Sequence, residues 1–303
     1  MADELDELNR LFTSPNPEDV IKFYDHFDTA EQLIEWMKNR PTAPMKIFEV
    51  EGEKDIVFVI PTADHNGEMA QNCANIFKDQ HMIFVESNGP FFNYARSCNF
   101  GLKYALKYNP KWVVLSNDDV VKIDDISKLK SQVLQLNGKG IDTALVKNSK
   151  SRPYCLASVL VRETSLLRYY RKILRGKMRM YQDLRDKFNL DFDVIGERRF
   201  KRFSSKFLYQ KVETILGFYD FIIINKEFLK AKQDLFDTAF VNGYEDHFLS
   251  YELSKRGAVI SLINFEIGSV GGYSLGSGFN RRLKEVACLV YFNYLLKLKL
   301  GAL

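Results

Sequence analysis

Three acidic segments of the chain carry side chains that suit metal binding and proton transfer. They are Asn117–Asp119, Glu245–Asp246 and Glu266, and each lies where the sequence pattern predicts the end of a strand or the start of a helix. Mg²⁺ and Mn²⁺ prefer oxygen ligands and usually combine one or two protein carboxylates with water and substrate phosphate. A separate carboxylate can take a proton from a reacting hydroxyl group. The three segments therefore predict a site for a divalent cation and a polyphosphate.

Each acidic segment also has a purely structural explanation. Asp118 and Asp119 belong to the residue types that commonly begin a turn. Glu245 and Asp246 fall in a predicted first helical turn, where acids complement the helix dipole. The functional interpretation is favoured by the recurrence of acids at three element boundaries rather than by any one of them.

The first half of the chain predicts parallel strands joined by helices. Ile56–Ile60, Met82–Val85 and Trp112–Leu115 are continuous apolar runs, as expected for strands buried on both faces. Helical spacing occurs between them, in Glu68–Asp79 and Asn93–Tyr108. In such a β-α-β arrangement ligands bind beyond the carboxyl ends of the strands, where the first acidic segment is expected.

The second half continues the alternation of strands and helices with shorter strands. The predicted strands are Thr143–Val146, Tyr154–Val161, Gly217–Ile224 and Val259–Phe265, the predicted helices are Asp125–Leu136 and Glu245–Arg256, and a glycine-rich loop spans Gly268–Gly278. The fold class is therefore α/β, with a Rossmann-like wound mixed sheet flanked by helices.

Three further segments are predicted around this sheet. Residues 1–50 form an N-terminal helical extension, residues 51–280 form the α/β domain, and residues 281–303 form an amphipathic C-terminal helix. Within the domain, residues 162–211 form a basic helical insertion that holds fifteen Lys or Arg, six Asp or Glu, and interleaved aromatic residues. The insertion is either a solvated charged face or a contact for an anionic membrane or a phosphate-bearing acceptor.

The composition of the whole chain excludes several classes of protein. With 303 residues, 46% hydrophobic residues and a net charge of +4, it is neither disordered nor a general polyanion binder. The apolar run Ala287–Leu296 is too short to span a bilayer. Four widely separated cysteines form no C-x-x-C motif, which favours reduced thiols. The acidic N-terminus lacks the layout of a secretory signal, so we expect a cytoplasmic protein.

Short motifs in the first half of the domain resemble those of a known family. Val59–Thr62 is similar to that family's first strand and the turn that holds the nucleotide base, and Glu86–Gly89 stands where the family often carries an acidic-Gly-Ser turn. Tyr94–Arg96 resembles its Ala-Arg-Asn signature, and Leu115–Val120 resembles its D-x-D segment. The family is the family 2 glycosyltransferases, which have the GT-A fold and transfer a sugar from a nucleotide-sugar with inversion.

The resemblance extends from about Asp55 to Ser277 and is most specific near its end. Gly243–Ser250 is similar to the family's G-x-E-D-x-x-L-S block, and Gly217–Phe218 resembles a Gly-aromatic segment on the acceptor side. Glu266 occupies the place where many members have a histidine before Gly-Gly-Ser.

The resemblance implies a role for each of these residues. Asp246 is implied as the catalytic base, with Glu245 positioning the acceptor or the metal, although either could act as the base. Asp119 is implied as the principal metal ligand, assisted by Asn117, which replaces the first aspartate of D-x-D, and by Glu266. The resemblance also implies a set of donor-binding residues, and the match between a guanidinium group and phosphate oxygens supports including Arg96. The set is Pro61, Thr62, Ala63, Glu86, Asn88, Arg96, Asn117 and Asp118.

The expected activity is a metal-dependent inverting glycosyl transfer that uses Mg²⁺ or Mn²⁺. The expected donor is a nucleotide-sugar, with UDP as the nucleotide, and the expected acceptor is a glycan or a lipid-linked hydroxyl. The expected location is the cytoplasm, with peripheral attachment to the inner face of the cell membrane as a hypothesis, and no nucleic-acid partner is expected.

Two alternative functions remain open at this point. A sugar nucleotidyltransferase shares the wound sheet and the metal carboxylates, but the glycine-rich phosphate loop typical of that class is absent after Pro61. An RNA-binding protein could use the basic insertion, but no recognised RNA-binding motif accompanies it.

Overall fold

The computed structural model of the chain describes residues 2–146, 155–218, 221–270 and 276–300. The strands in these ranges are β1 (Lys46–Val50), β2 (Glu53–Thr62), β3 (Gln80–Glu86), β4 (Trp112–Ser116), β5 (Val120–Lys122), β6 (Thr143–Val146), β7 (Cys155–Glu163), β8 (Phe192–Gly196), β9 (Tyr209–Phe218), β10 (Phe221–Asn225), β11 (Ile260–Ile263) and β12 (Ile267–Ser269). The helices are α1 (Ala2–Thr13), α2 (Pro17–Asp25), α3 (Ala30–Asn39), α4 (Glu68–Ile76), α5 (Tyr94–Ala105), α6 (Ile126–Leu134), α7 (Ser165–Ile173), α8 (Lys177–Lys187), α9 (Glu197–Lys201), α10 (Phe203–Leu208), α11 (Lys226–Lys230), α12 (Glu245–Lys255) and α13 (Gly278–Leu300).

The main sheet is mixed, as the sequence predicts. Its strand order is β1-β3-β2-β4-β10-β6-β11, with β2 parallel to both β3 and β4 and with β10 antiparallel to both β4 and β6. Because β3 and β4 lie on opposite sides of β2, the winding of the chain reverses at β2. The carboxyl ends of β2, β3 and β4 therefore open on one edge, at the kind of position where wound sheets bind ligands.

Burial on both faces explains why the central strands are continuous apolar runs. Every residue of β2 from Ile56 to Ile60 is at most 1% exposed. Ile56, Phe58 and Ile60 pack with α4 and α6 on one face, whereas Val57 and Val59 pack with α5 and α12 on the other. The predicted α/β sheet flanked by helices is thus confirmed.

A separate apolar core joins the two ends of the chain to the basic insertion. The N-terminal helices, α8, β8 and α13 share this core. Tyr24 Oη donates a 2.6 Å hydrogen bond to the Leu283 carbonyl, which ties α2 to α13. Asn293 of α13 accepts hydrogen bonds from the amides of Asp191 and Phe192 at the start of β8. The three predicted segments outside the sheet therefore pack against one another.

Several elements differ from the sequence prediction because they depend on pairing between distant segments. The predicted helical extension ends in a strand, since β1 pairs antiparallel with β3 and belongs to the sheet. The insertion is not only helical, because β8 and β9 pair on either side of β7. β5 and β12 form a two-stranded ribbon directly after the Asn117–Asp119 turn. β1, β5, β8 and β12 have at most five residues each, and β9 mixes polar with apolar residues, so none of them has the long apolar run that identifies the central strands.

Parts of some predicted elements lie outside the described residues. These parts are residue 1 of the N-terminal extension, the first residue of the predicted strand at Tyr154, residues 219–220, residues 271–275 of the glycine-rich loop, and residues 301–303 at the end of the predicted C-terminal helix. The single strand predicted at Gly217–Ile224 is divided between β9 and β10, which belong to different sheets. Among the helices that the structure describes, none combines the length and apolarity required to cross a bilayer.

Gly101 provides a test of the contact between α5 and the sheet. A Cβ atom at this position would lie 2.4 Å from Val59 Cγ1 and 2.6 Å from Val85 Cγ2. We expect Gly101→Ala to lower the free energy of unfolding by about 1–3 kcal/mol, the usual cost of overpacking a buried contact. Urea denaturation measures this difference. Gly196→Ala is the matched control, because its added Cβ meets no atom within 4 Å, and an equal loss in both variants would contradict the packing described here.

Candidate active site

The carboxyl ends of β2 and β4 are joined by hydrogen bonds between side chains. Thr62, the last residue of β2, donates from Oγ1 to Asp118 Oδ2 at 2.6 Å. Asn117, directly after β4, accepts at Oδ1 from the hydroxyl of Tyr94 at 2.8 Å. The Asn117–Asp119 turn is therefore held against the β2 end and the first turn of α5.

The β5–β12 ribbon holds Asp119. Ser269 Oγ donates to Asp119 Oδ2 at 2.9 Å, and the Val270 amide donates to the Asp119 carbonyl at 3.0 Å. Asp119 is buried. The ribbon thus fixes both the backbone and the carboxylate of the residue implied as the main metal ligand.

Glu266 does not lie beside Asp119. The ribbon pairs Ile267 with Lys122 and Ser269 with Val120, so Glu266 is at the far end of the ribbon. In this register Glu266 faces position 123, which is four residues after Asp119, and four residues along a strand span about 13 Å. The Glu266 amide donates to Asp124 Oδ2 at 2.7 Å, and the Glu266 carbonyl accepts from the Asp124 amide at 3.0 Å. The register therefore does not favour a shared metal ligated by Glu266 and Asp119.

The electrostatics of Asp118 fit a cation-binding position. Burial raises the pKa of the Asp118 carboxyl above its usual range, the adjacent Asp119 raises it further, and the hydrogen bond from Thr62 partly opposes both effects. Among the described residues, no Lys, Arg or His forms a salt bridge with Asp118. A divalent cation would supply the missing positive charge, and the Asp118 and Asp119 carboxylates with the Asn117 amide oxygen are suitable hard ligands for Mg²⁺ or Mn²⁺.

The turn after β2 contacts the end of β3. Asn88 Nδ2 donates to the Ala63 carbonyl at 2.9 Å, and the Ser87 amide donates to the Thr62 carbonyl at 3.0 Å. Pro61 is the residue before Thr62 in β2. The structure therefore brings together four predicted donor-binding residues, namely Pro61, Thr62, Ala63 and Asn88.

Glu86 binds His65, a partner that the sequence pattern did not indicate. His65 Nδ1 lies 2.6 Å from Glu86 Oε2, and the His65 amide donates to the same oxygen at 3.1 Å. These hydrogen bonds lower the pKa of the Glu86 carboxyl. The His65 ring stacks on Phe48 with centroids 3.4 Å apart. Since Phe48 belongs to the unpredicted strand β1, the sequence pattern offered no signal for this contact.

Two clusters among the described residues have enough close ligand atoms to hold a metal ion. Asp64, His65 and Glu86 form one of them, and Glu49, Glu51 and His81 form the other. The first cluster includes residues of the turn after β2 and the last residue of β3. The second lies on β1 and β3 and includes none of the predicted site residues.

Arg96 lies in the first turn of α5 and does not contact the acidic turn. Its Nη1 donates to Thr42 Oγ1 at 2.5 Å. Thr42 follows the N-terminal helices, and the Ala43 amide next to it donates to the Phe91 carbonyl at 2.9 Å. In this structure Arg96 therefore anchors the connection between the N-terminal helices and the loop after β3.

The second acidic segment begins α12 at a residue with an unusual backbone. Tyr244 is the N-cap residue and has φ 66°, in the left-handed region that non-glycine residues rarely adopt. Glu245 is buried, and Asp246 is partly exposed. Asp246 Oδ1 accepts from the His247 amide at 2.7 Å, and His247 Nδ1 lies 3.6 Å from the same oxygen. Asp246 is therefore the more accessible of the two candidate bases and has a neighbouring imidazole.

The first turn of α5 connects the two acidic segments. The Tyr94 amide donates to Asn242 Oδ1 at 2.7 Å, while the Tyr94 hydroxyl binds Asn117. Asn93 Nδ2 donates to the carbonyls of Thr238 and Phe240 in the same approach to α12. Asn117 and Asn242 thus bind the two ends of one tyrosine, and Asp246 follows Asn242 by four residues. The acidic turn and the start of α12 belong to one region of the molecule.

The basic insertion supports the strained residue at the start of α12. The Tyr244 hydroxyl donates to Asp193 Oδ1 at 2.8 Å, and Asp193 also pairs with Arg185 at 3.4 Å. Arg185 is fully buried and forms a 3.0 Å ion pair with Glu163, which also pairs with Arg171 at 2.6 Å. Two arginines of the insertion are therefore buried in ion pairs, and through Asp193 the insertion supports the backbone that directly precedes Glu245 and Asp246.

Comparison of the chain with models of protein families and with curated proteins yields no match.

Asp193→Ala tests the support of Tyr244. The substitution leaves Arg185 with one fewer anionic partner and removes the acceptor of the Tyr244 hydroxyl. We expect a loss of unfolding free energy on the order of 2 kcal/mol, typical of an unsatisfied buried polar partner. Chemical denaturation measures the loss. The control is Asp183→Ala, because Asp183 is exposed and lies 3.8 Å from an exposed Arg179. Similar midpoints for the two variants would show that the Asp193 contacts do not support the fold.

Proposed function

We propose that this protein is a metal-dependent inverting glycosyltransferase of the GT-A type, which transfers a sugar from a nucleotide-sugar to an acceptor hydroxyl. The observation that carries the proposal is the double contact of Tyr94, whose hydroxyl binds Asn117 and whose amide binds Asn242. These contacts link the turn that holds Asp118 and Asp119 to the segment that leads into α12, which supports assigning a metal and a base to one substrate. A displacement with inversion requires the metal-binding carboxylates and the base carboxylate to act on opposite sides of one sugar.

The donor would lie along the edge formed by β2, β3 and β4. The turn at Pro61–Ala63 and Asn88 would hold the nucleotide, and the Asn117–Asp119 turn would receive its diphosphate. A divalent cation bound there would neutralise the charge that develops on the departing nucleotide. Thr62 and Ser269 orient the two aspartates through the hydrogen bonds to their carboxylates.

The acceptor would enter from the side of α12. Its oxygen forms a bond to the anomeric carbon as the bond from that carbon to the phosphate oxygen breaks, and its proton passes to the Asp246 carboxylate. A base in this role must lie within hydrogen-bonding distance of the hydroxyl. Asp246 suits the role because it is partly exposed at the start of α12, whereas Glu245 is buried beside it.

The alternatives have less support from the structure. The turn after β2 is closed by hydrogen bonds from the Thr62 hydroxyl to the Asp64 carbonyl and from the Asn88 side-chain amide to the Ala63 carbonyl, and its sequence lacks the glycine-rich phosphate loop of a nucleotidyltransferase. RNA binding through the insertion gains no support, because no recognised RNA-binding motif accompanies its exposed cations, and Arg171 and Arg185 are occupied in buried ion pairs.

Two substitutions separate the proposed roles of the carboxylates. We expect Asp246→Asn to lower kcat by about 10²–10⁴-fold with little change in donor affinity, because it removes proton transfer and leaves the diphosphate site intact. Asp119→Ala should weaken both donor binding and kcat. The assay is a screen of nucleotide-sugars with Mn²⁺, read first as thermal stabilisation and then as sugar transfer.

Asp55→Asn is the control for both variants, because Asp55 is an exposed acid near the start of β2 that pairs with Lys111 at 3.0 Å, at the opposite edge of the sheet from Asp119. Full activity in Asp246→Asn, or unchanged Mn²⁺-dependent donor binding in Asp119→Ala, would contradict the assigned roles.

The insertion also presents a surface suited to an anionic membrane. Leu166, Tyr169, Tyr170 and Ile173 of α7 are each more than half exposed and share one face of the helix at spacings of three and four residues. Leu167 and Arg171 on the other face are buried. Arg175 and Lys177 follow the helix and are exposed. We propose peripheral attachment through this α7 face, with its aromatic and aliphatic side chains in the headgroup region.

Ile173→Glu tests the α7 face. We expect the substitution to reduce binding to vesicles that contain anionic lipid at low salt, because a carboxylate would be pushed toward negatively charged headgroups. Vesicle flotation measures the bound fraction. Leu262→Glu is the control, since Leu262 is 58% exposed on the edge strand β11. The α7 proposal would be wrong if the wild-type chain failed to bind or if both variants bound equally.

A further inference from the structure

An open cavity of about 390 Å³ includes Asn242 in its wall and is lined in part by residues near both ends of the chain. Residues from the N-terminal helices, the loop after β3, the approach to α12 and the start of α13 line it. They include Arg40, Asn242, Asn280 and Lys284. This volume falls within the usual range for small-molecule sites, about 300–1,000 Å³. Asn242 is also the residue that binds the Tyr94 amide.

Arg40 places a buried positive charge in the wall of this cavity, and some of its hydrogen-bond donors have no partner. Its side chain is buried, with the residue 6% exposed, and its guanidinium lies 5.7 Å from the centre of the Trp36 ring. Nη2 donates to the Phe92 carbonyl at 3.4 Å, whereas Nε and Nη1 are buried and have no hydrogen-bond partner. Burying a charge without partners is costly, so these two donors favour a ligand that accepts hydrogen bonds.

Lys284 adds a second buried cation. It is 9% exposed, and its Nζ donates to the Thr13 carbonyl at 3.1 Å. An ammonium group has three donors, so it retains capacity for a ligand. Burial lowers the pKa of Arg40 to about 10 and lowers the pKa of Lys284. Both shifts have the direction expected for cations that lack a nearby counter-charge, and Arg40 stays protonated at neutral pH.

The cavity contains no compensating acid in the part of its wall that is described. None of its described lining residues is Asp or Glu. Asn280 Oδ1 is buried without a hydrogen-bond partner and is an acceptor for a ligand hydroxyl. The wall therefore combines two cations with a polar group that suits a hydroxylated ligand.

We propose that this cavity binds an oxyanion, a phosphate or a carboxylate, carried by the acceptor substrate. The assignment to the acceptor rests on the proposed glycosyltransferase function, because Asn242 places the cavity on the α12 side, where the acceptor hydroxyl must reach Asp246. The assignment of an oxyanion rests on Arg40 and Lys284 alone. Bidentate hydrogen bonding from a guanidinium matches either kind of oxyanion.

The test measures the binding of inorganic phosphate and of acetate to the full chain by calorimetry in a buffer free of other oxyanions. We expect at least one of the two anions to bind the wild-type protein. Stronger binding of phosphate would indicate a phosphate-bearing acceptor, and stronger binding of acetate would indicate a carboxylate-bearing one. We expect Arg40→Met to weaken this binding by about tenfold or more, in keeping with the loss of charge-assisted hydrogen bonds. Lys284→Met provides a second variant in case Arg40→Met does not fold.

Arg10→Gln is the matched control, because Arg10 is an exposed arginine of the N-terminal helices. Absence of anion binding by the wild-type chain, or equal affinities in wild type, Arg40→Met and Lys284→Met, would overturn the inference. Arg40-dependent anion binding without Mn²⁺-dependent nucleotide-sugar binding would support the oxyanion site and contradict the proposed function. Transfer to an acceptor with the same KM in Arg40→Met and wild type would overturn the assignment to the acceptor.

Discussion

The candidate site depends on a single tyrosine that reaches two separate segments of the chain. Tyr94 binds Asn117 through its hydroxyl and Asn242 through its amide, and the capping residue Asn93 adds hydrogen bonds to the carbonyls of Thr238 and Phe240. The contacts at Asn93, Asn117 and Asn242 are all made by side-chain amides. Their geometry sets the distance between the acidic turn after β4 and the carboxylates of α12. In the proposed function, this link allows the two groups of acids to act on one substrate.

The surroundings of this region are formed by the three segments that the sequence predicts around the sheet. The N-terminal helices, the insertion and α13 share one apolar core, and each contributes a group near the site. Asp193 of the insertion binds the strained Tyr244, and Arg40 and Lys284 line the adjacent cavity. Buried cations and a left-handed residue each cost free energy. Their concentration around the start of α12 is typical of a functional site.

The sequence predicts the parallel part of the sheet well, because a strand buried on both faces needs a continuous apolar run and Ile56–Ile60 provides one. It also predicts that Asn117–Asp119 lies at the carboxyl edge. It cannot predict contacts that depend on long-range pairing. The distance between Glu266 and Asp119 is set by the register of the β5–β12 ribbon, and the stacking of His65 on Phe48 requires strand β1. The burial of Arg40 could not be predicted either, because an arginine at the end of a helix gives no sign in the sequence that it will be buried.

The central claim is that a cation bound at Asp118 and Asp119 and the Asp246 carboxylate face the same substrate. The most direct measurement is anomalous diffraction from crystals grown with Mn²⁺ and a nucleoside diphosphate. The account predicts a manganese peak within coordination distance of Asp118 or Asp119, about 2.0–2.3 Å, bridging to the diphosphate, with Asp246 across the same cleft. A manganese peak at Asp64, His65 and Glu86 instead, or a nucleotide bound on a different face of the sheet, would contradict it.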